Sequence, residues 1–126
     1  MSRLALFLAL AATASAAPSA SFFRALHLVE TSGRHGPILG DNGRSLGPLQ
    51  ISRAYWQDSR VPGKYEQVVD LAYARRVVTA YLKRYAPKAW AAGDVRTLAR
   101  IHNGGLNGHR KTATISYSNK VLKACK

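Results

Sequence analysis

Cysteine and acidic residues are the scarcest chemistry in this chain of 126 residues, which has one Cys and six Asp+Glu. Cys125 has no partner within the chain, so an intrachain disulfide framework and a thiolate zinc site are both excluded, and the fold must hold by packing. No apolar run approaches the roughly 20 residues that a helix needs to cross a bilayer. Five Pro and 10 Gly, set against 47% hydrophobic and 20% charged residues, exclude a collagenous or low-complexity chain and leave a globular composition. The length sets a limit of one domain. The four histidines, His27, His35, His102 and His109, lack a spacing typical of zinc ligands, so no metal and no cofactor is expected.

Basic residues are abundant: Lys+Arg number 19 and the formal net charge is +13. At the start, Met1-Ser2-Arg3 is a short positive segment, Leu4 to Ala12 is apolar throughout, and Ala14-Ser15-Ala16 has the small-x-small pattern that signal peptidases cut. Residues 1–16 therefore read as a cleaved signal peptide and 17–126 as the domain, a secreted protein without stable membrane insertion. Residues 17–126 keep 18 basic and 6 acidic groups, which points to an anionic partner. For an exported protein that partner is a cell-wall polymer or another anionic surface and not nucleic acid. The competing reading is that the charge serves solubility alone. The chain is expected to act as a monomer.

Periodicity and punctuation predict a mostly helical α+β fold. Phe22, Leu26 and Val29 recur at helical spacing over about Ser21–Thr31, with Gly33 just past the end. Gly36 to Ile51 is too rich in Gly and Pro for a helix, and Asn42-Gly43 is a hairpin-turn dipeptide, so a small two- or three-stranded antiparallel excursion is expected there, with Asp41 at its bend. A short helix follows at Ser52–Asp58, with Ser52 as N-cap. The stripe Val68, Leu71, Ala74, Val78, Tyr81, Leu82, Tyr85 predicts one long helix over Tyr65–Tyr85, ended by Pro87. Asp94 is a good N-cap for a helix over Val95–Asn103, stopped by Gly104-Gly105, and a last helix is expected over Thr114–Lys123.

After residue 16 the carboxylates are Glu30, Asp41, Asp58, Glu66, Asp70 and Asp94. Asp94 has a capping role. Glu66 and Asp70, four apart on the expected long helix among Lys64, Arg75 and Arg76, read as a solvated ion-pair face, and Asp58 can pair with Arg53 or Arg60. Glu30 is unusual. It lies in the last turn of a helix, at the negative end of the macrodipole and beside Leu28 and Val29, an environment suited to a carboxyl group that keeps its proton. Asp41, on a turn rich in backbone N–H groups and near Arg44, is suited to remain ionised. Two carboxyl groups in contrasting environments suit glycosidic bond cleavage, although Asp-Asn-Gly is also an ordinary turn sequence.

Five segments then carry a resemblance in order: Glu30-Thr31-Ser32-Gly33; Asp41-Asn42-Gly43; Gly47-Pro48-Leu49-Gln50-Ile51; Ala54-Tyr55-Trp56-Gln57-Asp58; and Ala99-Arg100-Ile101-His102-Asn103-Gly104-Gly105. Together they resemble the invertebrate-type lysozymes, also called the destabilase family, over about Leu26 to Val121. The resemblance implies a lysozyme-like fold and hydrolysis of the β-1,4 bond between N-acetylmuramic acid and N-acetylglucosamine in peptidoglycan. It places the family's general acid on Glu30 and its second catalytic carboxylate on Asp41. The family is typically cysteine-rich and this chain is not. Thr31 is an extra residue before Ser32-Gly33, and Ser52 stands where the family often has Lys, which speaks against the isopeptidase activity credited to some members.

Gln50, Tyr55, His102 and Asn103 are the candidate substrate-binding residues. Gln50 is placed to hold Asp41 or a sugar amide, and Tyr55 and Trp56 could stack on sugar rings or belong to the core. His102-Asn103 could line a cleft or be structural. Two rival functions stay open: a lytic transglycosylase using Glu30 alone, and a non-enzymatic cationic binder of bacterial surfaces.

Overall fold

The computed structural model describes residues 17–126; the signal-peptide expectation for 1–16 lies outside the described residues. Among the described residues six α-helices and one small sheet follow in order: α1 (Ala20–Thr31), β1 (Leu39–Gly40), β2 (Ser45–Leu46), β3 (Ile51–Ser52), α2 (Arg53–Ser59), α3 (Leu71–Tyr85), α4 (Pro87–Ala92), α5 (Val95–Gly104) and α6 (Ile115–Ala124). The architecture is α+β, mostly helical with one small antiparallel sheet after the first helix, as expected. The sheet is antiparallel in the order β1-β2-β3, with Leu39 opposite Leu46 and Leu46 opposite Ile51. Among the described residues no helix is long and apolar enough to cross a membrane.

The core forms where the helical stripes meet. Phe22 and Leu26 of α1, Val77, Val78 and Leu82 of α3, Leu98 of α5 and Val121 of α6 are fully buried, joined by Leu49 of the β2–β3 turn and Ile51 of β3. Each such side chain contributes about 1.5–3 kcal/mol on transfer from water, so packing can replace absent disulfides. α6 packs against both α5 and α1, bringing the last helix against the first.

The caps are largely those the sequence predicts. The Ser52 hydroxyl accepts from Tyr55 N at the start of α2, and the Asp94 carboxylate accepts from Thr97 N at the start of α5. The helix expected over Tyr65–Tyr85 is instead two elements. Tyr65–Val69 is a 3-10 turn, Asp70 is extended with its carboxylate accepting from Tyr73 N at 2.9 Å, and α3 begins only at Leu71. The capping preference of Asp overrides a continuous apolar stripe, because the cap satisfies an orphan N–H. Glu66 and Asp70 therefore share no helix face; Glu66 pairs across the surface with Arg53 at 3.7 Å. Asp58 has no ion pair among the described residues with either arginine proposed for it, and its backbone carbonyl accepts from Arg84. Pro87 does end α3, and it also starts α4, where its fixed φ and missing N–H suit the first helical position.

Candidate active site

Glu30 sits one residue from the end of α1, and its immediate successors in the chain fix its placement. Ser32 takes a left-handed conformation at the helix end. Thr31, 3% exposed, donates its hydroxyl to Pro48 O at 2.9 Å. That bond ties the last turn of α1 to the base of the hairpin 17 residues on. The extra residue before Ser32-Gly33 is thus a strut between the segments that carry the two candidate carboxylates.

The hairpin bend is built from consecutive left-handed residues, Asp41 (φ 51°), Asn42 (φ 56°) and Gly43 (φ 82°). Asp and Asn tolerate this region because their short polar side chains bond locally. Gly43 N bonds to Gly40 O, and Arg44 N to Asp41 O, so two overlapping turns hold Asp41 at the bend. Arg44 reaches its carboxylate at 3.7 Å with both side chains largely exposed, a contact of small energetic weight.

Gln50 braces the bend from below. Its side-chain nitrogen donates to Ile38 O and Gly47 O, both at 3.0 Å, and its carboxamide oxygen lies under Gly40, where a Cβ would collide with it. No bond from Gln50 to Asp41 is present among the described residues; the bend is held through backbone carbonyls.

Glu30 and Asp41, from helix and hairpin, line one cavity of about 360 Å³ together with Ser45, Gln50, His102 and Asn103. A contiguous hollow of about 270 Å³ extends it past Tyr55, Asp58 and Tyr81. All six candidate site residues thus meet in one cleft. Glu30 is only 18% exposed in its side chain, whereas Asp41 is 66% exposed.

The apolar neighbours expected around Glu30 are not its environment. Leu28 is 49% exposed, because residues one and two apart on a helix face different ways. The Glu30 carboxylate meets polar groups instead: the Tyr117 hydroxyl of α6 donates to Oε2 at 3.2 Å, and His102 Nε2 of α5 lies 3.2 Å from the same oxygen. His102 Nδ1 is 2.8 Å from the Tyr55 hydroxyl. The Tyr55 ring lies parallel to that of Tyr81, with centroids 3.7 Å apart. Tyr55 is therefore buried, with one ring face covered by Tyr81 and its hydroxyl committed to the imidazole. Trp56 is half-buried and donates its indole N–H to the Tyr73 hydroxyl.

Burial keeps these phenols protonated. The Tyr117 hydroxyl is pushed well above its usual range, first by burial and then by the charge and hydrogen bond of Glu30. Tyr55 is raised too, by burial, then Tyr81 and Glu30. The His102 ring thus bridges the Tyr55 hydroxyl and the Glu30 carboxyl group through its two nitrogens, and Tyr117 meets the same Glu30 oxygen. Tyr117 is the contact that sequence reasoning missed: a lone Tyr on the last helix carries no local signal, and only the packing of α6 on α1 brings it to Glu30.

Among the described residues no group of three or more His, Cys, Asp or Glu is placed to hold a metal ion.

A family model described as Destabilase matches residues 26–125. The chain is 40% identical over 82 residues to Lysozyme 1 of Crassostrea virginica, covering 64% of this chain and 45% of that protein. It is 41% identical over 83 residues to a lysozyme of Meretrix lusoria, covering 63% of this chain and 66% of that one. The matched region thus spans about half to two thirds of these curated relatives. Among solved structures, the Meretrix lusoria lysozyme crystallised in complex with Aeromonas hydrophila PliI superposes with a TM-score of 0.72 at 32% identity, covering 84% of this chain and 89% of that one. Tapes japonica lysozyme superposes at 0.71 and 32% identity, covering 85% and 93%.

Proposed function

Because this chain belongs to the Destabilase family, we propose that it is a secreted muramidase, hydrolysing the β-1,4 bond between N-acetylmuramic acid and N-acetylglucosamine in peptidoglycan. The observation that carries this reading is the pairing of Glu30 and Asp41 across one cavity, each on a separate and internally braced element. In this reading Glu30 donates its proton to the glycosidic oxygen as the C1–O bond breaks. Asp41, from the hairpin side, attacks C1 or stabilises the oxocarbenium-like sugar. Water then adds at C1 and returns a proton to Glu30, so the enzyme is regenerated with no cofactor.

His102 and Tyr117 serve as positioning residues, fixing the Glu30 carboxyl group from α5 and α6. Tyr55 acts one step further back, on His102. Gln50 supports the bend that carries Asp41, and Asn103, exposed at the rim, is the residue free to bond a sugar amide. The strongly basic surface draws the enzyme to anionic walls.

Product analysis tests the reading. Purified peptidoglycan should yield new reducing ends with N-acetylmuramic acid, in amounts matching the bonds cut. Exclusive release of 1,6-anhydro sugars, with Asp41→Asn still active, would identify a transglycosylase that uses Glu30 alone. Wall binding with neither product would identify a cationic binder.

A further inference from the structure

α3 has two faces. One is core, and the other carries Arg75, Arg76, Thr79 and Lys83 along one wall of a groove of about 530 Å³, with Phe23 and Val61 opposite. A smaller hollow of about 170 Å³ shares Phe23 and Arg75 with it and reaches Arg24. None of the residues lining either hollow lines the Glu30–Asp41 cleft.

The four cations have no carboxylate within ion-pair distance among the described residues, and no acidic residue lines the groove. Three of them rest on aromatic rings: Arg75 lies 4.7 Å from the Phe23 centroid, Lys83 5.6 Å from that of Trp90 and Arg76 5.9 Å from that of Tyr73. A ring face orders a cation without consuming its N–H donors, so they remain available to an anion. The large apolar side chains that are most exposed, Leu28, Leu39, Leu106 and Ile115, all lie elsewhere, so the groove has no wedge to insert into a lipid surface. From Arg75 to Lys83 the cationic wall runs about 12 Å along the helix, an elongated shape suited to a chain of repeating charges.

We propose that this groove is a second binding site, separate from the cleft, for a linear phosphodiester polymer, with Arg75, Arg76 and Lys83 contacting successive phosphates beside the Phe23 ring. That the polymer belongs to a bacterial wall rests on the functional reading above; the site and its ligand chemistry do not. Binding here holds the enzyme along an anionic wall while the cleft works on the glycan.

The test uses deacylated poly(glycerol phosphate), titrated into the wild type and two variants by calorimetry. Arg75→Gln/Arg76→Gln/Lys83→Gln removes the groove charges, and Arg96→Gln/Arg110→Gln/Lys120→Gln removes as many exposed charges at positions that line neither hollow. The groove variant is expected to bind about tenfold or more weakly and the control within about threefold of wild type, the scale of three lost contacts to a charged surface. Equal losses would show diffuse attraction and overturn the site. Amide shifts of the wild type on adding the polymer must cluster at the α1–α3 groove; a dispersed pattern overturns it without reliance on any variant. Groove-dependent binding to phosphatidylglycerol vesicles, with none to the polymer, would overturn the ligand class. Release of reducing ends from purified peptidoglycan stripped of phosphodiester polymer reports the cleft alone, so its failure would count against the hydrolase reading and leave the groove result standing.

Discussion

The imidazole of His102, with its side chain only 2% exposed, stands 3.2 Å from Glu30 Oε2, and the two residues are 72 positions apart in the chain. On its other side the ring meets the Tyr55 hydroxyl, itself raised well above its usual range by burial, Tyr81 and Glu30. The candidate acid thus has its orientation set by three helices: α1 carries it, α5 supplies His102 and α6 supplies Tyr117.

Tyr117→Phe removes one donor to Glu30 and nothing else of similar size. A hydrogen bond to a charged group contributes about 1.5–3 kcal/mol, so kcat is expected to fall about tenfold to a hundredfold. KM should stay nearly unchanged, because Tyr117 does not line the cleft. A loss confined to KM would contradict the positioning role.

Thr31→Val keeps the shape of the strut and deletes its bond to Pro48 O. Activity is expected to fall while the melting temperature shifts by only a few degrees, as for one neutral hydrogen bond of about 1 kcal/mol. Unchanged activity would mean that the α1–hairpin tie does not set the carboxyl geometry.

Gly47→Ala is expected to destabilise the fold strongly. Gly47 has φ +84°, and a Cβ there would collide with the backbone carbonyl of Val68 in the 3-10 turn. Strain of this kind costs on the order of 1–3 kcal/mol or more. Urea denaturation measures it, and a midpoint within error of wild type would contradict the close approach.

Tyr81 gives an alkaline signature. Burial, then the charges of Asp58 and Tyr85, push its hydroxyl up to about 12 from the ordinary 10.0. The unfolded chain releases this proton first, so its contribution to stability is complete below about pH 10 and is lost as pH rises toward 12. Tyr81→Phe should therefore lose less melting temperature than wild type across that window; an equal loss would contradict the assignment.

Much of this was legible in the sequence where local chemistry decides. Ser52 and Asp94 cap as their residue types predict, and the Gly- and Pro-rich stretch after α1 became the sheet. The break at Asp70 was missed because the apolar stripe runs on through it, although the same capping preference that identified Asp94 applied there. Glu30 and Asp41 stood out by type and position. The polar surroundings of Glu30 did not, because His102, Tyr55 and Tyr117 reach it only through tertiary packing.

Salt separates capture from chemistry. Screening shortens from about 10 Å at 0.1 M to about 3 Å at 1 M ionic strength, so lysis of anionic walls should fall steeply with NaCl. Any turnover of a neutral chitooligosaccharide should change little. Insensitive wall lysis would assign the basic surface to solubility alone.

The role of Glu30 as the proton donor is tested most directly by Glu30→Gln in a wall-clearing assay, with circular dichroism and melting temperature measured on the same sample. The amide keeps the size of the side chain and can still meet Tyr117 and His102, but it has no proton to transfer to the glycosidic oxygen. The account predicts a folded protein whose clearing of a Gram-positive wall suspension is abolished. A folded Glu30→Gln protein that clears the suspension within a few-fold of the wild-type rate would contradict it.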